Sequence, residues 1–227
     1  MKKMVLFVLL LILLVGCQNK NNQEEKKSTN TETFVVEKID DSKDYVHLQK
    51  YQELKLDGND YSLDILLINI KGDDIDNVNL ELKSFVTKSY QNMEIYNSEI
   101  RQGNIISYEY YKTDKYLSVL QKYYTYVDGI VGEENVNFYN ISLDNGKVLN
   151  NNLILESFKI TEEELLEKLE NGIVSEDISY TMMNIKKDGY DLYIDNNGNL
   201  VVSYYEIDNE NCQRKEWTLE INKLAWR

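Results

Sequence analysis

The sequence predicts an α+β fold, an antiparallel sheet of several strands with two inserted helices. Three observations predict it. Short runs rich in Val, Ile and Tyr recur along the chain, separated by clusters of Asp, Asn and Gly that read as turns. Two stretches switch to the three-and-four spacing of apolar residues that a one-faced helix requires. Strands and helices do not alternate in a βαβ rhythm, so the two α/β lobes of a solute-binding protein are not expected. Composition agrees: of 227 residues 42% are hydrophobic and 28% charged, enough for a real core. The chain holds 18 Tyr and no Pro. Tyrosine has an apolar body and a polar tip, which suits half-buried strands.

The first 32 residues read differently. Lys2 and Lys3 precede an unbroken apolar run, Met4 to Val15. A run of twelve is too short for a membrane-spanning helix, which needs about 20 residues, but fits an export signal. It ends in Leu14-Val15-Gly16-Cys17, which resembles the bacterial lipobox. That resemblance implies cleavage before Cys17 and acylation of its thiol, the one side chain there that supplies a thiolate nucleophile. Residues 18–32 (QNKNNQEEKKSTNTE) have nothing to bury and read as a flexible tether reaching about 20 Å. The expected organisation is therefore a signal peptide at 1–16, a lipidated Cys17 with a tether to 32, and one ectodomain over 33–227. The expected location is the outer side of the cell membrane, facing the wall.

Within the ectodomain, Thr33 to Ile39 reads as a first strand. Tyr45 to Leu56 fits either a strand or a short helix, and Asp57-Gly58-Asn59-Asp60 a turn. Tyr61 to Ile70 reads as a buried strand. A helix follows, capped by Asp73 or Asp74, with Ile75, Val78, Leu82, Phe85, Val86 and Met93 on one face. Asn104 to Tyr111, Tyr116 to Val127 and Asn135 to Leu143 read as strands, and Asp144-Asn145-Gly146-Lys147 as a type I′ hairpin turn. Thr161 to Glu164 is a capping box opening a short helix that Gly172 stops. Tyr190 to Ile194 and Leu200 to Ile207 flank a five-residue loop, and Glu216 to Ile221 closes the chain as a strand.

Chemistry is sparse. The formal net charge is −14, and loss of the leader with its two lysines makes it −16. Such a chain repels phosphate backbones, so no nucleic-acid partner is expected, while a cationic partner is attracted. The sole histidine, His47, joins no Ser-His-Asp or Cys-His constellation and no metal-ligand cluster. Asp73, Asp74 and Asp76 read as helix-start acids favoured by the macrodipole, not as a cation site. No catalytic residue, metal or cofactor is expected. With Cys17 taken by lipid, Cys212 stands as a lone thiol at a strand end. The tyrosines offer the remaining signal, because aromatic platforms stack on sugars and populate recognition surfaces. Tyr123, Tyr124 and Tyr126, nearest the central hairpin, are the candidate ligand-binding residues, unless they line half-buried strand faces.

Three segments carry a family resemblance: INIKGDDIDNVNLELKSFV (68–86), YLSVLQKYYTYVDGIVGEENVNFYNISLDNGKVL (116–149) and YDLYIDNNGNLVVSYYEI (190–207). Their order resembles the extracellular domain of the lysozyme-sensing anti-sigma factor of Gram-positive bacteria, also found at the front of some peptidoglycan deacetylases. The resemblance spans about residues 61–222 and implies an ectodomain that binds lysozyme or cell-wall material, without catalysis. No deacetylase domain follows and no cytoplasmic segment precedes, so a separate lipoprotein is expected. Two other readings stay open: an envelope or wall hydrolase with a carboxylate-based site, and a structural lipoprotein that docks a partner by a sheet edge or a tyrosine surface.

Overall fold

The computed structural model describes residues 45–173, 178–208 and 211–220. The export leader expected at 1–16, Cys17, the tether expected to residue 32 and the strand expected at Thr33 to Ile39 lie outside the described residues. So do Ile221 and the rest of the C-terminus.

Two-residue turns build the first half. Strand β1 (Val46–Leu56) turns at Asp57-Gly58 into β2 (Asn59–Ile68), which settles the ambiguous Tyr45–Leu56 segment as strand. Asp57 and Gly58 take φ of 50° and 79°. Two successive positive φ values make a type I′ turn, whose twist matches that of the flanking strands. The pattern recurs at Asn97-Ser98 (51° and 65°), between β3 (Glu94–Tyr96) and β4 (Glu99–Lys112). It recurs again at Asp128-Gly129 (43° and 87°), between β5 (Tyr116–Val127) and β6 (Ile130–Ser142). The Asp144–Lys147 turn departs from the type I′ expectation. There only Gly146 has a positive φ, 67°, and residues 143–147 form a wider loop into the two-residue strand β7 (Val148–Leu149).

These strands form one curled sheet in the order β2-β1-β4-β5-β6-β7, with β3 also on β4. All pairs are antiparallel except β1 with β4, which meet in parallel at Lys55 and Glu99. The β1–β2 hairpin then diverges from β4, and tyrosines span the gap. The Tyr61 hydroxyl accepts the Ile106 N–H at 2.6 Å, and the Tyr108 hydroxyl donates to the Asp64 carbonyl at 3.0 Å. Here tyrosine replaces a missing backbone ladder, which explains part of its abundance.

Helix α1 (Asp73–Gln91) covers one face of this sheet. Ile75, Val78, Leu82 and Val86 recur along its apolar stripe and pack on Leu66, Ile68, Leu117, Val119 and Ile106. Each such fully buried aliphatic side chain contributes about 1.5–3 kcal/mol. Asn79 fixes the helix to the sheet, accepting the Ile68 N–H at 2.7 Å and donating to its carbonyl at 3.0 Å. The expected aspartate cap is absent: Gly72 precedes the helix, and no side chain caps it. Asp74 reaches sideways instead and accepts the Val148 N–H at 3.1 Å.

A second sheet, ordered β10-β9-β8, corrects the single-sheet expectation. It comprises β8 (Asp191–Ile194), β9 (Leu200–Asp208) and β10 (Asn211–Leu219). The five-residue loop expected between β8 and β9 is present, and the Asp195 carboxylate accepts the N–H groups of Asn197 and Asn199, each at 2.8 Å. One face of this sheet presents Tyr193 and Val201 to Leu120, Val136 and Phe138 of the large sheet. The opposite face presents Leu192, Leu200, Val202 and Tyr204 to helices α2 (Asn151–Phe158), α3 (Glu162–Gly172) and α4 (Ile178–Asp188). The layers therefore run helix, large sheet, small sheet, helices. Strand β5 lies between two layers and is buried continuously from Leu117 to Gln121.

Four helices are present among the described residues, not two. Helix α2 hides behind Asn150-Asn151-Asn152, where Asn150 serves as cap and accepts the Leu153 N–H. Helix α4 is mixed polar and β-branched in composition. The Thr161–Glu164 capping box opens α3 as expected. Gly172 does not end that helix by a left-handed turn. It is the last helical residue, and a Cβ there would lie 2.5 Å from the Trp217 indole nitrogen. Its function is to let the Trp217 ring approach.

Candidate binding cleft and tyrosine network

The edge strand of a sheet exposes unpaired backbone groups, and the structure treats β8 and β6 differently. The edge of β8 is satisfied by side chains. Asn151 accepts the Leu192 N–H at 3.2 Å, Asn140 donates to the Leu192 carbonyl at 2.7 Å, and Ser118 accepts the Ile194 N–H at 3.0 Å. Ser118 in turn donates to Asn140 at 2.7 Å. These buried polar groups tie the two sheets together.

Strand β6 is left open. Its outer partner β7 pairs only with Asn140 and Ile141, so among the described residues no strand continues along Ile130 to Tyr139. A cleft of about 520 Å³ lies along this open stretch. Glu81, Ser84, Phe85 and Lys88 of α1 form one wall, residues 136–139 of β6 the floor, and Asp191 of β8 lies across from the helix. Glu81 and Asp191 form no ion pair with a described residue. Asp191 is surface-exposed, yet the chain packed about its carboxyl raises its pKa, and Arg214 opposes that shift. Among the described residues no three His, Cys, Asp or Glu side chains gather as a metal site would require.

One end of the cleft meets a polar cluster. Arg214, 10% exposed, bonds the Glu134 carboxylate at 2.8 Å and the Glu216 carboxylate at 2.9 Å. Tyr124 donates to Glu134, Tyr193 donates to Glu216 at 3.0 Å, and Tyr205 donates to the Glu134 carbonyl at 3.2 Å. Tyr111 stacks on Tyr193 with ring centres 5.0 Å apart and donates to Glu109, which also pairs with Lys122. Both Glu134 and Glu216 are committed to one guanidinium, so the cluster is a structural ion-pair network joining β10 to β6.

The three candidate tyrosines do not form one platform. Tyr123 packs on Phe85 of α1 with ring centres 4.7 Å apart. Tyr124 faces the opposite way, into the Glu134–Arg214 cluster. Tyr126 keeps its register with Gly103 of β4 and packs in a core cluster with Leu54 and Ile100, against which Tyr61, Tyr90, Met93 and Ile105 also pack. There it is 2% exposed, and its hydroxyl donates to Asp57 at 2.7 Å. Half-buried strand faces therefore account for Tyr123 and Tyr124, and the core for Tyr126. Sequence reasoning missed the cleft residues Glu81, Phe85, Lys88 and Asp191. The helical phase of α1 turns Glu81, Ser84 and Lys88 away from its Ile75–Leu82 stripe, but nothing local shows that β6 lies beneath them. His47 is exposed on β1, and Cys212 stands at the start of β10, in register with Ile207.

The phenols carry a measurable signature. Tyr124 is pushed up to about 12, chiefly by its hydrogen bond to the Glu134 carboxylate. Burial pushes Tyr61 and Tyr139 to about 12 as well. Their folded values lie above the ordinary 10.0. Their stabilisation is therefore complete below pH 10 and is lost as pH rises through 12. Spectrophotometric titration of the folded protein should show late-ionising tyrosines, and stability should fall across that window. Ionisation of every tyrosine near its ordinary value in the folded state would contradict the network.

Among the described residues no helix is long and apolar enough to cross a membrane. No known family model matches the chain, and no curated protein matches it.

Proposed function

We propose that this chain is a lipid-anchored, non-enzymatic binding or sensing module on the outer side of a bacterial membrane. Its target is a cationic protein such as lysozyme, or cell-wall material. The observation that carries this reading is the cleft between α1 and the open edge of β6, in which Glu81 and Asp191 face solvent without an ion pair to any described residue, in a chain of formal charge −14. Carboxylates left unpaired beside unpaired backbone groups supply both long-range attraction and a docking geometry. The lipobox at Cys17 and the resemblance to the lysozyme-sensing ectodomain support the same reading from sequence.

Binding of the full chain to lysozyme and to purified peptidoglycan, each at low and high salt, tests it. Lysozyme binding should weaken as salt screens the charges. Absence of binding to both ligands at low salt would refute the proposal. Mass spectrometry of the native protein tests the anchor: acyl chains on Cys17, with the leader gone, are expected.

A further inference from the structure

The ladder alternation of β6 identifies which of its backbone groups face outward. Ser142 donates its N–H to Lys147 on the outer side at 2.9 Å, and its carbonyl accepts the Gly146 N–H there at 2.8 Å. Groups two apart along a strand point the same way, so Asn140, Phe138, Val136 and Glu134 also direct N–H and C=O outward. Asn140 lies opposite Leu149 of β7, and the Glu134 carbonyl is taken by Tyr205. Between these two stops, the N–H and C=O groups of Val136 and Phe138 meet no partner among the described residues. They lie on the floor of the cleft, with Phe85 and Glu81 on the helix side and Asp191 on the other.

We propose that an extended basic polypeptide segment of a partner protein adds to the outer edge of β6, bonding the backbone of Val136 and Phe138. This rests on the binding-module reading and specifies how the cleft recognises its target. Backbone pairing supplies the fit, and alternate side chains of the added strand fall to either side of it. On the helix side they meet Phe85 and Glu81, and on the other side Asp191. Among the described residues Glu81 and Asp191 make no ion pair, Lys88 is the one ammonium lining the cleft, and the nearby Arg214 is already neutralised by Glu134 and Glu216, so the cleft selects basic over acidic sequences, as does the charge of the whole chain. The occupied stretch is short: two residues of β6 offer four backbone bonds.

The test uses the full chain and an end-capped, fluorescein-labelled octapeptide alternating lysine and valine. Three comparisons accompany it: the glutamate–valine counterpart, the lysine–valine peptide N-methylated at alternate amides, and the variant Val136→Pro. Proline removes an N–H that makes no bond to β5, so the ladder survives and a thermal melt should show a folded protein. Glu81→Lys, on the exposed face of α1, serves should that variant fail to fold. Strand addition predicts that the basic peptide binds and protects the Val136 and Phe138 amides from exchange. It also predicts that N-methylation, Val136→Pro and Glu81→Lys each weaken binding roughly tenfold or more. Equal binding of the N-methylated peptide, or binding that leaves those amides unprotected, overturns it. Lysozyme binding is measured in parallel. If lysozyme binds wild type and Val136→Pro alike, strand addition fails and the binding-module reading stands. If neither lysozyme nor peptidoglycan binds, that reading itself has failed.

Discussion

Gly146→Ala is expected to destabilise the protein by about 3 kcal/mol, the sum of a left-handed backbone cost of roughly 1 kcal/mol and forced displacement of packed backbone. Gly146 sits at φ 67°, and a Cβ there would lie 2.2 Å from the Lys71 carbonyl oxygen and 2.8 Å from the Gly72 Cα. Neither obstacle is a side chain that can swing away. Both belong to the joint where β2 runs into α1, so the β6–β7 loop and the helix start are held together by the absence of side chains. The Asp74 bond to the Val148 N–H spans the same contact. Gly58→Ala is the control. It shares a positive φ, 79°, but meets nothing within 4 Å, so it should cost only the backbone term of about 1 kcal/mol. Urea midpoints of the two variants decide the matter. Equal losses would mean that the approach of Gly146 to Lys71 carries no weight.

The same loop shows what the sequence discloses and what it withholds. Asn-Gly signals a turn, and a turn is there, but the type I′ geometry expected of it occurs instead at Asp57-Gly58, Asn97-Ser98 and Asp128-Gly129. Local chemistry marks a reversal of the chain, while the turn type follows from the packing of Gly146 on Lys71. The apolar stripe of α1 and the Thr161 capping box were legible because both depend on residues within one or two helical turns. Helix α2 was not, because its opening asparagines serve equally well in loops and as helix caps. The division into two sheets was not legible either. Strands β5 and β8 share no motif, and the sheets meet through Ser118 of β5 and Asn140 of β6, which reach the backbone of Leu192 and Ile194, and through Leu120 packed with Tyr193. The candidate site failed for a related reason. Tyrosines two apart promised a common binding face, but Tyr126 is buried with Leu54 and Ile100, and the Tyr124 hydroxyl is taken by Glu134. The cleft instead depends on β7 stopping after two residues, and its Asp191 comes from β8 in the other sheet.

Asn140→Leu is expected to cost on the order of 3 kcal/mol, because it strands two buried polar groups at 1–3 kcal/mol each. Asn140 is 4% exposed. Its amide donates to the Leu192 carbonyl, and its oxygen accepts the Ser118 hydroxyl, both at 2.7 Å. Leucine has similar volume and preserves packing, so the loss reports hydrogen bonding and not a cavity. Ser118→Ala removes a different part of the same chain, the acceptor for Ile194 N–H. The double variant should lose less than the sum of the two, since Ser118 and Asn140 also bond each other. Exchange of the Ile194 amide gives the local readout: it should accelerate in Ser118→Ala and also in Asn140→Leu, where the hydroxyl loses the partner that orients it. Additive losses and unchanged exchange would show that the sheets are joined by apolar contact alone. The consequence reaches the cleft, because β8 carries Asp191. An edge strand released from Asn140 no longer holds that carboxylate opposite α1, so binding of the basic peptide should weaken in Asn140→Leu although no residue of the cleft has changed.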